Sequence, residues 1–275
     1  MTYATLMVHL ELGRPNAGLL QIAGDLAERF HSRVIGIAAC QPMQIVYGEG
    51  FVSGDIYEQD RQELGKNMKA AEAEFRSVLQ ARAEALEWRS TVMFTLLSEY
   101  LAREARSADL VITGVASGDM FDSSRSLNTG DLVMRAGRPV LVVPAAAGKV
   151  KLERVVVGWK DTRETRRAVS DALPLLKNAR HVAVVAIAVE EELAAVRTHL
   201  EDVAAWLKRH GIEAQCLASP STYNDATALY AVAQDQGADV IVAGAYGHSR
   251  LREWALGGVT RDLLLRANCC SLLSH

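Results

Sequence analysis

The stretch from Asp239 to Leu265, DVIVAGAYGHSRLREWALGGVTRDLLL, holds the residues whose types and spacing best suit chemistry. A β-branched run ends in Gly244-x-x-Gly247, and after nine residues Gly257-Gly258-Val259-Thr260 opens a helical pattern. Glycines at the end of a strand let backbone N–H groups approach an anion with no Cβ in the way. A helix N-terminus adds unpaired N–H groups and a dipole that favours negative charge. Together they suit a phosphate chain held from two sides, beyond the carboxyl ends of the strands where ligands of open α/β sheets sit. Arg250, Arg252 and Arg261 are close enough in sequence to offset phosphate charge, or to form a solvated face. The competing reading is that the glycines only permit tight strand-to-helix turns. No Walker A loop occurs in the chain.

The elements that must position this loop repeat. ADLVITG from Ala108 matches ADVIVAG from Ala238, which pairs Asp109 with Asp239 and Gly114 with Gly244 at an offset of 130. TGDLVMRAGRPVLVV from Thr129 matches TRDLLLRANCCSLLS from Thr260 at an offset of 131. A stretch of small residues, Pro144 to Gly148, reads as a linker. The predicted halves are 1–147 and 148–275. In the second half the pattern predicts strands at Val155–Trp159, Val182–Val189, Glu213–Leu217, Asp239–Ala243 and Ser271–Ser274. Helices are predicted over Thr162–Lys177, Glu191–Arg209, Thr222–Gln236 and Gly257–Ala267. Alternating strands and helices imply parallel sheets covered on both faces. The expected fold class is α/β, with two tandem doubly wound domains, each holding a five-stranded parallel sheet. The first half departs by an insertion after its second strand, Gln41–Asp60, which reads as a surface loop or as a cover for a partner.

Composition narrows the function classes. The chain has 275 residues, 49% apolar, with a formal net charge of -3. No basic stripe invites nucleic acid, and no run of 18 apolar residues spans a membrane. The N-terminus has no basic n-region or small-residue cleavage site, so a cytoplasmic location is expected. Cys40, Cys216, Cys269 and Cys270 lack metal spacing and read as buried free thiols. The seven histidines show no ligand spacing, so no metal site is expected. No nucleophile–base–acid set is visible, and no catalytic residue is assigned.

The spacing G-x2-G-x9-G, followed here by Gly258, Val259 and Thr260, resembles the nucleotide-binding signature of the universal stress protein family. The resemblance covers both halves and is to the tandem type. It implies an adenine nucleotide alpha hydrolase-like fold and a stress-response regulator that binds ATP or AMP, with Mg²⁺, in the second half. Activity would be weak ATP hydrolysis at most. Gly244, Gly247, His248, Gly257, Gly258, Val259 and Thr260 would surround phosphates and ribose; Ala243 would touch ribose or base, and Ile187 would pack on adenine. Trp159 and Asp161, at the tip of the first strand of that half, would also belong to the nucleotide site. The family's aspartate there is replaced by Lys160. In the first half Ser117, Ser126 and Leu127 replace the glycines, Asp119, Asp122 and Asp131 add negative charge, and Leu10 is taken as the residue at the adenine-reading position. That half is expected to be structural or to hold a different ligand. The resemblance also implies that the terminal strands of the halves pair as an internal pseudo-dimer, with a homodimer possible. The alternatives are a structural or protein-interaction module without nucleotide, and a small-metabolite carrier.

Overall fold

The computed structural model describes residues 2–42, 54–115, 126–145, 151–221, 224–245, 258–265 and 269–275. The first half runs β1 (Thr5–His9), α1 (Ala17–Phe30), β2 (Arg33–Cys40), α2 (Gly54–Leu79), β3 (Leu86–Val92), α3 (Leu97–Glu104), β4 (Leu110–Gly114), α4 (Thr129–Ala136) and β5 (Val140–Val143). The second runs β6 (Arg154–Gly158), α5 (Arg163–Asp171), α6 (Leu173–Asn178), β7 (His181–Ala188), α7 (Leu193–Arg209), β8 (Ala214–Pro220), α8 (Asp225–Asp235), β9 (Val240–Gly244), α9 (Gly258–Leu265) and β10 (Cys270–Ser274).

The strands form one ten-stranded sheet in the order β3-β2-β1-β4-β5-β10-β9-β6-β7-β8. Every neighbouring pair is parallel except β5 and β10, which run antiparallel with Ser271 opposite Val142. The α/β class expected from the alternation is the one observed. Strands such as VVAIA are apolar on both sides because helices cover both sides. Successive side chains point to opposite faces, which divides the core in two. Leu6, Val8, Val155, Val157, Val184 and Leu272 pack on one side of the sheet, and Met7, Ile35, Val156, Val185, Ile241 and Leu273 on the other.

Further contacts tie the halves. The Tyr3 hydroxyl donates to the Asp171 carbonyl at 2.7 Å, Arg167 to the Gly137 carbonyl at 2.9 Å and Arg29 to the Lys151 carbonyl at 2.8 Å. The cysteines form no disulfide among the described residues, and burial pushes the Cys269 thiol up to about 11 and Cys270 to about 12. They behave as apolar filler rather than as reactive thiols. No helix among the described residues is long and apolar enough to cross a membrane.

Two expectations need correction. The insertion is not a loop as far as Asp60, because α2 begins at Gly54. Leu64, Ala71, Phe75 and Leu79 recur at helical spacing on its buried side, and Glu72 pairs with Arg76 one turn on. Residues 43–53 of that insertion lie outside the described residues. The single helix expected over Thr162–Lys177 is two, α5 and α6, and Pro174 stands in the first turn of the second. Proline has no N–H to continue the ladder and is accommodated only at a helix start.

Candidate functional site

The order of strands reverses in the second half around β6, which has β7 on one side and β9 on the other. The crevice beyond the carboxyl ends of β6 and β9 is where a ligand of such a sheet sits. β6 ends at Gly158, and the Trp159 N–H still donates to the Val185 carbonyl at 2.7 Å. The chain then turns through Lys160, whose carbonyl accepts from the Thr162 N–H at 2.7 Å. Thr162 caps α5: its hydroxyl accepts from the Thr165 N–H at 3.3 Å.

This early cap decides what Gly244 does. A Cβ on Gly244 would stand 2.4 Å from the Thr165 backbone nitrogen and 2.6 Å from the Glu164 carbonyl carbon. The space that the missing side chain leaves at Gly244 is taken up by the first turn of α5, so this glycine serves close helix-to-strand packing. Glu164, in that turn, is buried. Burial alone would push its carboxyl up, but hydrogen bonds from Arg163, its own N–H and Thr162 hold it below the usual range. The helix predicted from Thr162 includes this turn, and what the sequence does not reveal is its packing against Gly244. The signal for the turn is the Thr162-x-x-Thr165 spacing, which starts the helix one turn ahead of its counterpart α1.

The other expected site residues divide. Ile187, Ala243 and Val259 pack on the same apolar cluster, on the α8 and α9 side of the sheet. Trp159 packs on the cluster of the opposite side, and its indole N–H is buried without a partner among the described residues. Asp161 is ion-paired with Arg166, and Lys160 is exposed. Gly258 opens α9, and Thr260 is buried in its first turn. Gly247, His248 and Gly257 lie outside the described residues, as do Arg250, Arg252, Ser117, Asp119 and Asp122.

The starts of α4 and α9 differ. By the repeat, Asn128 corresponds to Val259 and Leu127 to Gly258. Asn128 is the N-cap of α4, and its side-chain oxygen accepts from the Asp131 N–H at 2.9 Å. The Asp131 carboxylate lies in the first turn, accepts from the Ser98 hydroxyl at 2.6 Å and pairs with Arg135. That helix end is therefore satisfied by its own chain. Helix α9 starts two residues earlier in the repeat, carries no acidic residue in its first turn, and is preceded by Gly257, which has no side chain to cap with. Asp262, the counterpart of Asp131, falls a turn deeper.

Register also corrects the first half. Leu6 pairs with Leu110 and Val155 with Val240, so Leu10 corresponds to Trp159 and Glu11 to Lys160. The matching bonds agree: the Leu10 N–H donates to Ile37, as Trp159 does to Val185. The residue that corresponds to Lys160 is thus Glu11, not Leu10, and Leu10 is fully buried. Where the second half has Gly158, the first has His9. It is buried, with Nδ1 3.1 Å from the Thr113 hydroxyl, and burial lowers it to about 4. Above it opens a cavity of about 270 Å³. A larger groove of about 540 Å³ lies at the opposite ends of β6, β7 and β8. There the Arg154 guanidinium donates to the Gln236 carbonyl at the end of α8, so its charge serves a helix terminus. Among the described residues no cluster of three or more His, Cys, Asp or Glu could hold a metal ion.

No family model matches the sequence, and no curated protein does. Solved structures match over the whole chain. A universal stress protein from Archaeoglobus fulgidus is 13% identical, with a TM-score of 0.77 and 98% of each chain covered. A functionally unknown protein from Pseudomonas aeruginosa is 14% identical, with a TM-score of 0.65, over 99% of this chain and 92% of that one. Identities this low speak for the backbone and its topology, and on that ground the chain has, along its full length, the fold of a universal stress protein.

Proposed function

We propose that the chain is a tandem universal stress protein with domains 1–147 and 148–275, and that the second holds an adenine nucleotide, ATP or AMP. The domains would form an internal pseudo-dimer across β5 and β10. The observation that carries the nucleotide reading is the start of α9. Among the described residues its first turn holds no carboxylate, and Gly257 before it has no side chain, whereas α4 is capped by Asn128 and holds Asp131. Orphan amides at a helix N-terminus suit a phosphate. In this reading Gly247, His248, Gly257, Gly258 and Thr260 surround the phosphates, and the base lies against Ile187 and Ala243. Trp159 and Asp161 take no part, because one packs across the sheet and the other is paired with Arg166. Nucleotide occupancy would bias one conformation, which a partner protein reads.

The packing role of Gly244 favours the competing reading of a paired scaffold without nucleotide. Titration calorimetry of the full chain with ATP and AMP separates the two. Saturable heat that is lost in Gly247→Val supports nucleotide binding. No heat in the wild type overturns it and leaves the scaffold.

A further inference from the structure

The cavity of the first half is the mirror position of that nucleotide site, but its chemistry is different. It opens beyond the carboxyl ends of β1 and β2, beside the reversal of strand order around β1. Its floor is His9, Leu10, Ala39 and Cys40, all buried. Burial keeps the His9 imidazole neutral through the physiological range, so the floor carries no charge. One wall is the turn Glu11–Arg14, whose side chains form an ion pair at 3.7 Å. The other is α2, where Glu63 and Asn67 stand one turn apart with Leu64 buried between them. Gly13 lets the two walls approach: it sits at φ +73, and the Asn67 amide is 3.5 Å from where a Cβ would be. Leu97 and Leu127 close the side.

Phosphate is poorly served here. Arg14 is already opposed by Glu11, Glu63 adds a second carboxylate, and the α4 terminus is capped by Asn128 and Asp131. Among the described residues a dianion would face like charge, with the α4 amides already capped. An ammonium group fits the same inventory, since it has three donors and needs acceptors only. Volume sets the size. About 270 Å³ has room for about nine waters at ~30 Å³ each, against about thirty non-hydrogen atoms in a nucleoside triphosphate.

We propose that the first half binds a small primary amine with an apolar body, its ammonium on Glu63 and Asn67 and its body against Leu64, Leu97 and Leu127. The site is independent of any nucleotide in the second half. Glu63 stands on the exposed rim and makes no ion pair among the described residues, so its neutralisation leaves the fold intact.

Benzylamine is the probe, with benzyl alcohol as its uncharged analogue and phenyl phosphate as the anion, each titrated into the full chain by NMR. Benzylamine should bind, and benzyl alcohol should bind about tenfold more weakly, the loss expected for one charged hydrogen bond. Phenyl phosphate should give no shift of Asn67 or of the residues around it. Glu63→Gln should weaken benzylamine about tenfold, while Glu58→Gln, on the same helix outside the cavity, should leave it unchanged. Asn67→Leu should also weaken it, with an unaltered circular dichroism spectrum. Equal affinity for amine and alcohol, equal loss in Glu58→Gln, or binding of phenyl phosphate at these residues overturns the proposal. So does the absence of benzylamine binding.

Discussion

The crevices of the two halves lie at equivalent places in one continuous sheet and are finished in opposite ways. In the first half a neutral histidine floors the crevice, the strand-end glycine Gly114 has nothing within 4 Å of its Cβ position among the described residues, and α4 caps itself. In the second a glycine replaces the histidine, the first turn of α5 presses against Gly244, and α9 starts on residues that cannot cap it. The difference teaches that matching strands do not make matching sites. A shift of one helical turn in α5, and of two residues in α9, changes which groups face each crevice while every strand keeps its place.

The comparison can be broken first at its walls. The α2 wall of the first crevice is anchored by Phe75, which is fully buried and packs over Gly36 with its ring centroid 5.5 Å from that of Trp88 and tilted by 41°. Phe75→Ala should cost about 4 kcal/mol in urea unfolding, the range for large-to-small changes of a buried aromatic. It should also abolish amine binding in the first half. A cost under about 1 kcal/mol would show that α2 does not rely on this contact.

Next comes the glycine pair. Gly244→Ala forces a Cβ against the α5 backbone, which cannot yield as a flexible side chain would, and should cost about 3 kcal/mol. Gly114→Ala meets open space among the described residues and should change stability by less than about 0.5 kcal/mol. Equal effects would mean that the crevices are finished alike.

The third test is pH. The His9 imidazole titrates near 6.5 when unfolded and at about 4 in the fold, so between those values the unfolded chain binds the extra proton. Its contribution is complete above pH 6.5 and drains as pH falls to 4, by about 3 kcal/mol. His9→Gln keeps a hydrogen-bonding partner for Thr113 and should flatten this part of the stability–pH curve. Gly158, at the same place in the other half, contributes no such slope. Identical curves for wild type and His9→Gln would place the acid sensitivity elsewhere.

Much of this architecture is legible in the sequence, for a definite reason. Strands buried on both faces show as apolar runs, so β7 and β9 appear within a residue or two of their observed ends, and Asp109 and Asp239 mark the repeat because each fixes the start of the neighbouring strand. The carboxylates accept from the Thr5 N–H and from the Glu153 and Arg154 N–H groups. The site is less legible. Gly244 looks like a ligand glycine and has a packing role that the sequence does not reveal, because what fills the space at its missing side chain comes from Thr165, 79 residues away along the chain. The expected match of Leu10 to Lys160 is off by one residue, since Glu11 is the counterpart. Only the pairing of β1 with β4, and of β6 with β9, fixes that register.

The smallest effect probes the sharpest contrast. Asn128→Ala removes the oxygen that takes the Asp131 N–H and should cost about 1 kcal/mol, the usual loss for an N-cap. The reason it should not cost more is that Asp131 stays in the first turn, held by Ser98 and Arg135, and its charge still opposes the helix dipole. The same variant should speed exchange of the first α4 amides, because one donor returns to water. Val259, in the place of Asn128 in the repeat, has no oxygen to cap α9, so Val259→Ala should alter packing but leave exchange of the amides there unchanged. If exchange at both helix starts responds alike, the two termini are satisfied in the same way and the argument for an anion at α9 loses its footing.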